Sequence, residues 1–168
     1  MMHKRRDTIM NKTRKIIVTG MLVGAVAITG CSSDEGKIAK GINFDKVEQG
    51  LSETLSNSDN FSNVFDSCDV SYNEDTNDLD IVIAVHPSTD PSVAIGIADY
   101  SISTINYEAQ RQNSEIADYS ASNSYYGGLF DDVNAFIMVA PTTAQSEDEY
   151  YIFESIPVKS HRELKLND

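Results

Sequence analysis

The sequence predicts an α+β domain: a two-layer sandwich in the order α-β-β-α-β-β, with a four-stranded, largely antiparallel sheet and two helices on one face. Three observations predict it. In two segments apolar residues recur every three or four positions, which puts them on one side of a helix. In four others they alternate with polar ones, which puts them on one side of a strand. Prolines and clusters of Asn, Asp and Ser stand between the segments.

The first helix begins after Asn43, a residue whose side chain can accept from the free amides of a first turn. Phe44, Val47, Leu51 and Leu55 line its apolar face, and Asp45, Glu48 and Glu53 point away. It stops near Asn57, because Ser56-Asn57-Ser58-Asp59-Asn60 offers only side chains that compete for backbone hydrogen bonds. Cys68, Val70 and Tyr72 then alternate with Asp69 and Ser71 as a strand. Asn73 to Asp78 is a charged turn, and Leu79, Ile81, Ile83 and Val85 resume the alternation. Val82 and Ala84 make the other face of this strand apolar too, so it is the more central of the hairpin pair. His86-Pro87 closes it.

Asp90-Pro91 reads as the cap and first residue of a long helix. Ile95, Ala98, Ile102, Ile105, Ala109, Gln112, Ile116 and Tyr119 continue in one phase. Carried to Tyr119 the helix would have 29 residues and span about 43 Å, against about 23 Å for a seven-residue strand. It must overhang the sheet or break, and Gln112-Asn113-Ser114 is the weakest point. Gly50 and Gly96 interrupt helical patterns at about 1 kcal/mol each relative to alanine, which predicts a close crossing of the two helices.

Ser120 to Gly128 is a flexible loop carrying tyrosines. Val133, Ala135, Ile137 and Val139 form the third strand, with Phe136 and Met138 on its other face and Pro141 at its end. Tyr150, Ile152 and Ile156 alternate with Tyr151, Phe153 and Ser155 as the fourth, ended by Pro157. The long helix returns the chain to the starting end of the sheet, so the third strand runs parallel to the second. Pairing the third strand with the first, or the fourth with the second, would make the sheet wholly antiparallel, and both pairings stay open. The domain is expected over residues 42–157, with a frayed tail at 158–168.

The segment ahead of the domain has a different character. Lys4, Arg5, Arg6, Lys12, Arg14 and Lys15 precede an uncharged run from Ile16 to Ile28. That run is too short to cross a bilayer, which needs roughly 20 apolar residues, and it matches the apolar core of a signal peptide. Thr29 and Gly30 then lead directly into Cys31. This ending resembles the lipobox of bacterial lipoproteins, a likeness confined to residues 1–31. The resemblance implies cleavage between Gly30 and Cys31 and a diacylglyceryl group on the Cys31 sulfur, holding the mature chain to the outer side of a membrane. Residues 31–41 would be the lipidated cysteine and a polar tether. Met10 is an alternative start, since the basic residues after it suffice for an n-region.

The whole chain has 13 Lys and Arg and 26 Asp and Glu. Residues 1–30 hold six of the basic residues and one acid, Asp7, leaving seven and 25 and a formal charge of −18. Such a surface repels nucleic acid and attracts cationic partners. With Cys31 acylated, Cys68 is the remaining thiol, so no internal disulfide is expected. It begins an apolar alternation, which makes it a small core residue.

Motifs of chemistry are sparse. The acidic turn at Asn73–Asp78 fails the EF-hand pattern, with Asp78 where glycine is needed and Ala84 where glutamate is needed. Asp131-Asp132 reads as another solvated connection. His86 and His161 supply no zinc-ligand spacing, and neither a metal nor a cofactor is expected. His86 could act as a base toward Ser88 or Cys68, but no nucleophile elbow or phosphate-binding glycine loop accompanies it. Tyrosine is the more suggestive residue, because its broad apolar face and polar tip suit recognition. Tyr125, Tyr126 and Tyr151 are the candidate binding surface. The expectation is a non-catalytic, lipid-anchored envelope module, with an acidic protein that captures a cationic protein or peptide as the first alternative. A small envelope hydrolase using Cys68 or His86 comes next, and a transporter's solute receptor is disfavoured by length.

Overall fold

A computed structural model describes residues 38–122 and 124–167. The signal segment, Gly30, Cys31 and the tether through residue 37 lie outside the described residues.

Helix α1 (Phe44–Ser56) starts as predicted: Asn43 is extended, and its side chain accepts from Lys46 N at 3.1 Å. That contact satisfies one of the first-turn amides that have no partner inside the helix. Phe44, Val47, Leu51 and Leu55 are all buried. At the other end Asn57 Nδ2 donates to Glu53 O at 2.7 Å and closes the last turn.

Strands β1 (Phe65–Asn73) and β2 (Asp78–Val85) form the predicted antiparallel hairpin, with an irregularity between Phe65 and Ser67. Asn77 turns the chain at φ +58°, a left-handed conformation that asparagine tolerates. Its side chain accepts from Tyr72 Oη at 2.8 Å and donates to Asp132 O at 2.7 Å, which ties the turn to the segment ahead of the third strand.

Helix α2 (Pro91–Gln110) is capped by Asp90, which accepts from Ser92 N at 2.9 Å. It has 20 residues, not 29, and the chain breaks where the sequence was weakest. Ile116 is buried and Tyr119 packs against the core, both in the predicted phase. They arrive there by a fold-back: Asn106 Nδ2 donates to Ala117 O at 3.2 Å, and Gln110 Nε2 donates to Asp118 Oδ1 at 2.7 Å. The spacing past residue 110 therefore reports burial rather than helix.

Strands β3 (Asn134–Pro141) and β4 (Ile152–Ile156) complete a mixed sheet in the order β1-β2-β3-β4. Neither predicted alternative pairing occurs. β3 pairs directly with β2, parallel, from Asp78↔Asn134 to Val85↔Pro141, and β3 with β4 is antiparallel. The reason lies in side chains: β2 and β3 carry apolar residues on both faces, Val82 and Ala84 on the outer face of β2 and Phe136 and Met138 on that of β3, and such strands gain most from the centre of a sheet. Both sheet edges are partly blocked. Glu48 Oε2 accepts from Val70 N at 3.1 Å on β1, and Asn167 N donates to Tyr151 O at 2.9 Å beside β4.

One core joins the helices to a single face of the sheet through Val70, Leu79, Ile81, Ile83, Ala135, Ile137, Val139, Ile152 and Ile156. Beside α2 that face is closed by residues without regular structure. The 3-10 turn Gly128–Asp131 buries Leu129 and Phe130, and the tail buries Leu164. The tail is not frayed as predicted: Lys159 N donates to Phe130 O at 3.0 Å, and Arg162 O accepts from Tyr126 Oη at 2.7 Å. Nor is Asp132 a solvated connection. It is buried, and its Oδ2 accepts from Ile38 N at 3.0 Å and Ala39 N at 2.9 Å, so packed structure starts before residue 42.

The glycines separate. A Cβ on Gly50 would lie 2.5 Å from Glu108 Cδ of α2, so the helices do cross closely there. Gly96 is exposed, and its Cβ would meet only the Phe61 ring at 3.7 Å, an ordinary contact. It has no part in the crossing.

Candidate functional site

The structure separates the three candidate tyrosines. Tyr125 is 45% exposed and stays available. Tyr126 is 1% exposed and belongs to the core, which removes it from any binding surface. Gly127 and Gly128, at φ +79° and +61°, turn the chain so that the ring points inward. There it packs against His161 at 4.5 Å, Phe130 at 5.8 Å and Tyr119 at 6.2 Å. Burial, with Asp99 nearby, pushes its hydroxyl well above the ordinary tyrosine range, so it acts as a neutral donor. Tyr151 is half-buried against the core, with its Oη donating to Thr89 O at 3.3 Å. Its neighbour Tyr150 takes the other side and meets Phe153 edge-on at 6.2 Å.

Two exposed tyrosines were missed. Tyr100 and Tyr107 lie one heptad apart on α2, 40% and 59% exposed, and with Thr54 and Ser103 they line a shallow depression. Their spacing departs from the apolar stripe of α2, which was the available signal. A more polar cleft of about 400 Å³ lies between α1 and α2, but there Glu108 is paired with Arg111 at 3.0 Å.

The possible catalytic groups do not converge. Cys68 is half-buried, with its Sγ 3.8 Å from Glu48 O; burial and the charges of Glu48 and Asp69 push its thiol up to about 12. At neutral pH it is a thiol, a poor nucleophile. His86 Nδ1 lies 2.8 Å from Ser88 Oγ in an exposed turn, and it also accepts from Ser88 N at 3.3 Å. Among the described residues no third side chain orients that ring. No cluster of His, Cys, Asp and Glu among them could hold a metal ion, and none of their helices is long and apolar enough to cross a membrane.

The remaining feature is the sheet face opposite the helices. Register places Asp69, Val82, Met138 and Phe153 in one row across it, and Ser71, Asp80, Phe136 and Ser155 in the next. Four strands span about 14 Å, so the carboxylates occupy the β1–β2 half and the large apolar side chains the β3–β4 half. Phe136, Met138 and Phe153 are only half-buried, and no helix among the described residues covers them. Among the described residues no strand residue is Lys or Arg. Burial raises the Asp80 carboxyl above its ordinary value, and the charges of Asp78 and Asp69 raise it further. No ion pair with Asp69, Asp78 or Asp80 forms among the described residues.

No family model, curated protein or solved structure matches the chain.

Proposed function

We propose that the chain is a non-catalytic interaction module of the cell envelope, held to the outer side of a membrane by lipid on Cys31, and that the open face of the sheet is its working surface. The observation that carries the reading is that face, where Phe136, Met138 and Phe153 are only partly buried and no helix among the described residues covers them. A half-covered sheet is ordinary when its second face is polar; a contiguous apolar area instead marks a contact surface. The anchor rests on Thr29-Gly30-Cys31 after a basic and then apolar run. From Cys31 to Ile38 the chain reaches at most about 25 Å, which would keep the domain close to the lipid surface. The raised thiol of Cys68 argues against the hydrolase alternative.

Two measurements test the proposal separately. Intact mass and phase partition should show a diacylated chain that enters the detergent phase, and Cys31→Ser should return it to the aqueous phase. A photo-crosslinking residue at Phe153 should give discrete adducts in cells, while one at Tyr107 should not. Adducts from Tyr107 alone would move the working surface to the helices, and an unmodified Cys31 would remove the anchor.

A further inference from the structure

We infer that the open face docks a cationic, amphipathic protein segment, whose apolar side chains lie on Phe136, Met138 and Phe153 and whose Lys or Arg residues lie over Asp69 and Asp80. This rests on reading the chain as an interaction module, and it names the chemistry of the partner.

The division of the face carries the inference. The row Asp69-Val82-Met138-Phe153 passes from carboxylate to aromatic across the four strands, and the row Ser71-Asp80-Phe136-Ser155 repeats the order in part. A helix with its side chains is about 10–12 Å in diameter, so one amphipathic helix covers both halves of a face about 14 Å wide. Among the described residues the cations all lie off the strands: Lys40 and Lys46 before or in α1, Arg111 after α2, and Lys159, Arg162 and Lys165 in the tail. No ion pair with Asp69 or Asp80 forms among the described residues, so their charge is open to a partner's cations.

Other occupants fit less well. Strand addition needs a free edge, and Glu48 at β1 and Asn167 beside β4 each block part of one. A second copy would bring its own Asp69 and Asp80 to a face that already carries them, in a chain of formal charge −18 after residue 30. An anionic bilayer is repelled for the same reason.

The test uses the full chain as purified from membranes, in zwitterionic nanodiscs if acylated and in buffer if not, with acylation read separately by mass. The probe is an 18-residue helix of Lys and Leu, with a Glu/Leu helix of the same pattern as control and empty discs subtracted. The Lys/Leu helix should bind, and raised salt should weaken it at least about tenfold. Asp69→Asn with Asp80→Asn should weaken it roughly five- to tenfold at low salt. Phe153→Ser should weaken it at every salt concentration, and the Glu/Leu helix should not bind. Melting curves of each variant confirm that it is folded, and chemical-shift changes at the open-face residues of β1 to β4, Asp69 and Asp80 included, would report contact even where affinity is low. Equal binding of both helices, indifference to the aspartates, or self-association abolished by Met138→Glu would each overturn the inference. An unacylated chain that still binds the Lys/Leu helix with this pattern would overturn the anchor and leave the docking intact.

Discussion

Part of the inner face of the sheet lies under two regular helices, α1 against β1 and α2 against β3, whose buried residues come at helical spacings and whose caps are Asn43 and Asp90. Beside α2, toward β4, the same face lies under the returning chain at residues 116–131 and the tail at 157–167, neither with a repeating pattern. The helices carry their own hydrogen bonds and contribute mainly apolar side chains. The irregular cover must find partners for its backbone one by one. Asn106 Oδ1 takes Leu129 N at 2.6 Å, Arg162 O takes Tyr126 Oη, and Asn134 Oδ1 takes Val158 N at 3.1 Å. The comparison teaches that one core can be sealed as well by specific polar contacts as by periodicity, provided that a few residues are fixed in kind.

That equivalence is open to attack. The largest effects should come from removing a main side chain of each cover. Leu51→Ala beneath α1 should cost about 2–5 kcal/mol and Tyr126→Ala about 3–5 kcal/mol in denaturant unfolding. A loss below about 1 kcal/mol for Tyr126, on the scale of an ordinary surface substitution, would make the irregular cover an ornament. Gly128→Ala comes next, at about 2–3 kcal/mol, since a Cβ there would occupy the Asn106 side chain and φ is +61°. Adding Asn106→Ala should recover none of that loss, because Leu129 N and Ala117 O then lose their partner.

Tyr126→Phe keeps the ring and removes one hydrogen bond, for a loss of about 1 kcal/mol; no change in the denaturation midpoint would mean that the tail is held by the ring alone. Within the helical cover, Gly96→Ala should stabilise by about 0.5–1 kcal/mol, since it gains helix propensity and meets only ordinary contact. Gly50→Ala should gain nothing because Glu108 must move. Equal gains at both positions would deny the close crossing.

The smallest effect concerns the face that neither cover reaches. The Asp80 carboxyl is raised by burial and by Asp78 and Asp69, while across from it on β3 stands Phe136, which does not titrate. The folded chain therefore holds a proton that the unfolded chain has released. Stability falls as pH climbs from the ordinary aspartate value of 3.8 through the raised one, and the deficit then persists to neutral pH. Asp80→Asn should melt slightly higher than the parent at pH 7, with the gap closing in acid. A variant that melts lower at pH 7 would show Asp80 to be a stabilising group.

The same division explains what the sequence makes legible. Both helices, the four strands and the two caps could be read because each rests on local spacing or a single capping side chain. The strand order could not, because it depends on a long-range pairing, β2 with β3, that no local spacing records. The helical spacing ran on through Ile116 and Tyr119, although the backbone turned back at residues 111–114. Periodicity records which residues are buried, and here two different paths bury them in the same phase. Tyr126 was read as exposed because a Tyr-Tyr-Gly-Gly loop looks mobile. The missing signal was Asn106, a polar side chain within the apolar stripe, which holds that loop from below. Of the candidate site, Asp69 and the apolar outer residues Phe136 and Met138 were each placed correctly on their strands. Their joining into one divided surface came only with the register.

The two amides that Asp132 holds have a mechanical consequence. Any pull transmitted from the chain ahead of Ile38 enters the body at that carboxylate, two residues before β3, and so reaches a central strand instead of peeling an edge. Under stretching in a single-molecule trap, Asp132→Ala should let the lead-in residues detach first, as a short extension step ahead of the main rupture. If the proposed anchor holds the chain, such a fastening brings the load to where the most backbone hydrogen bonds share it.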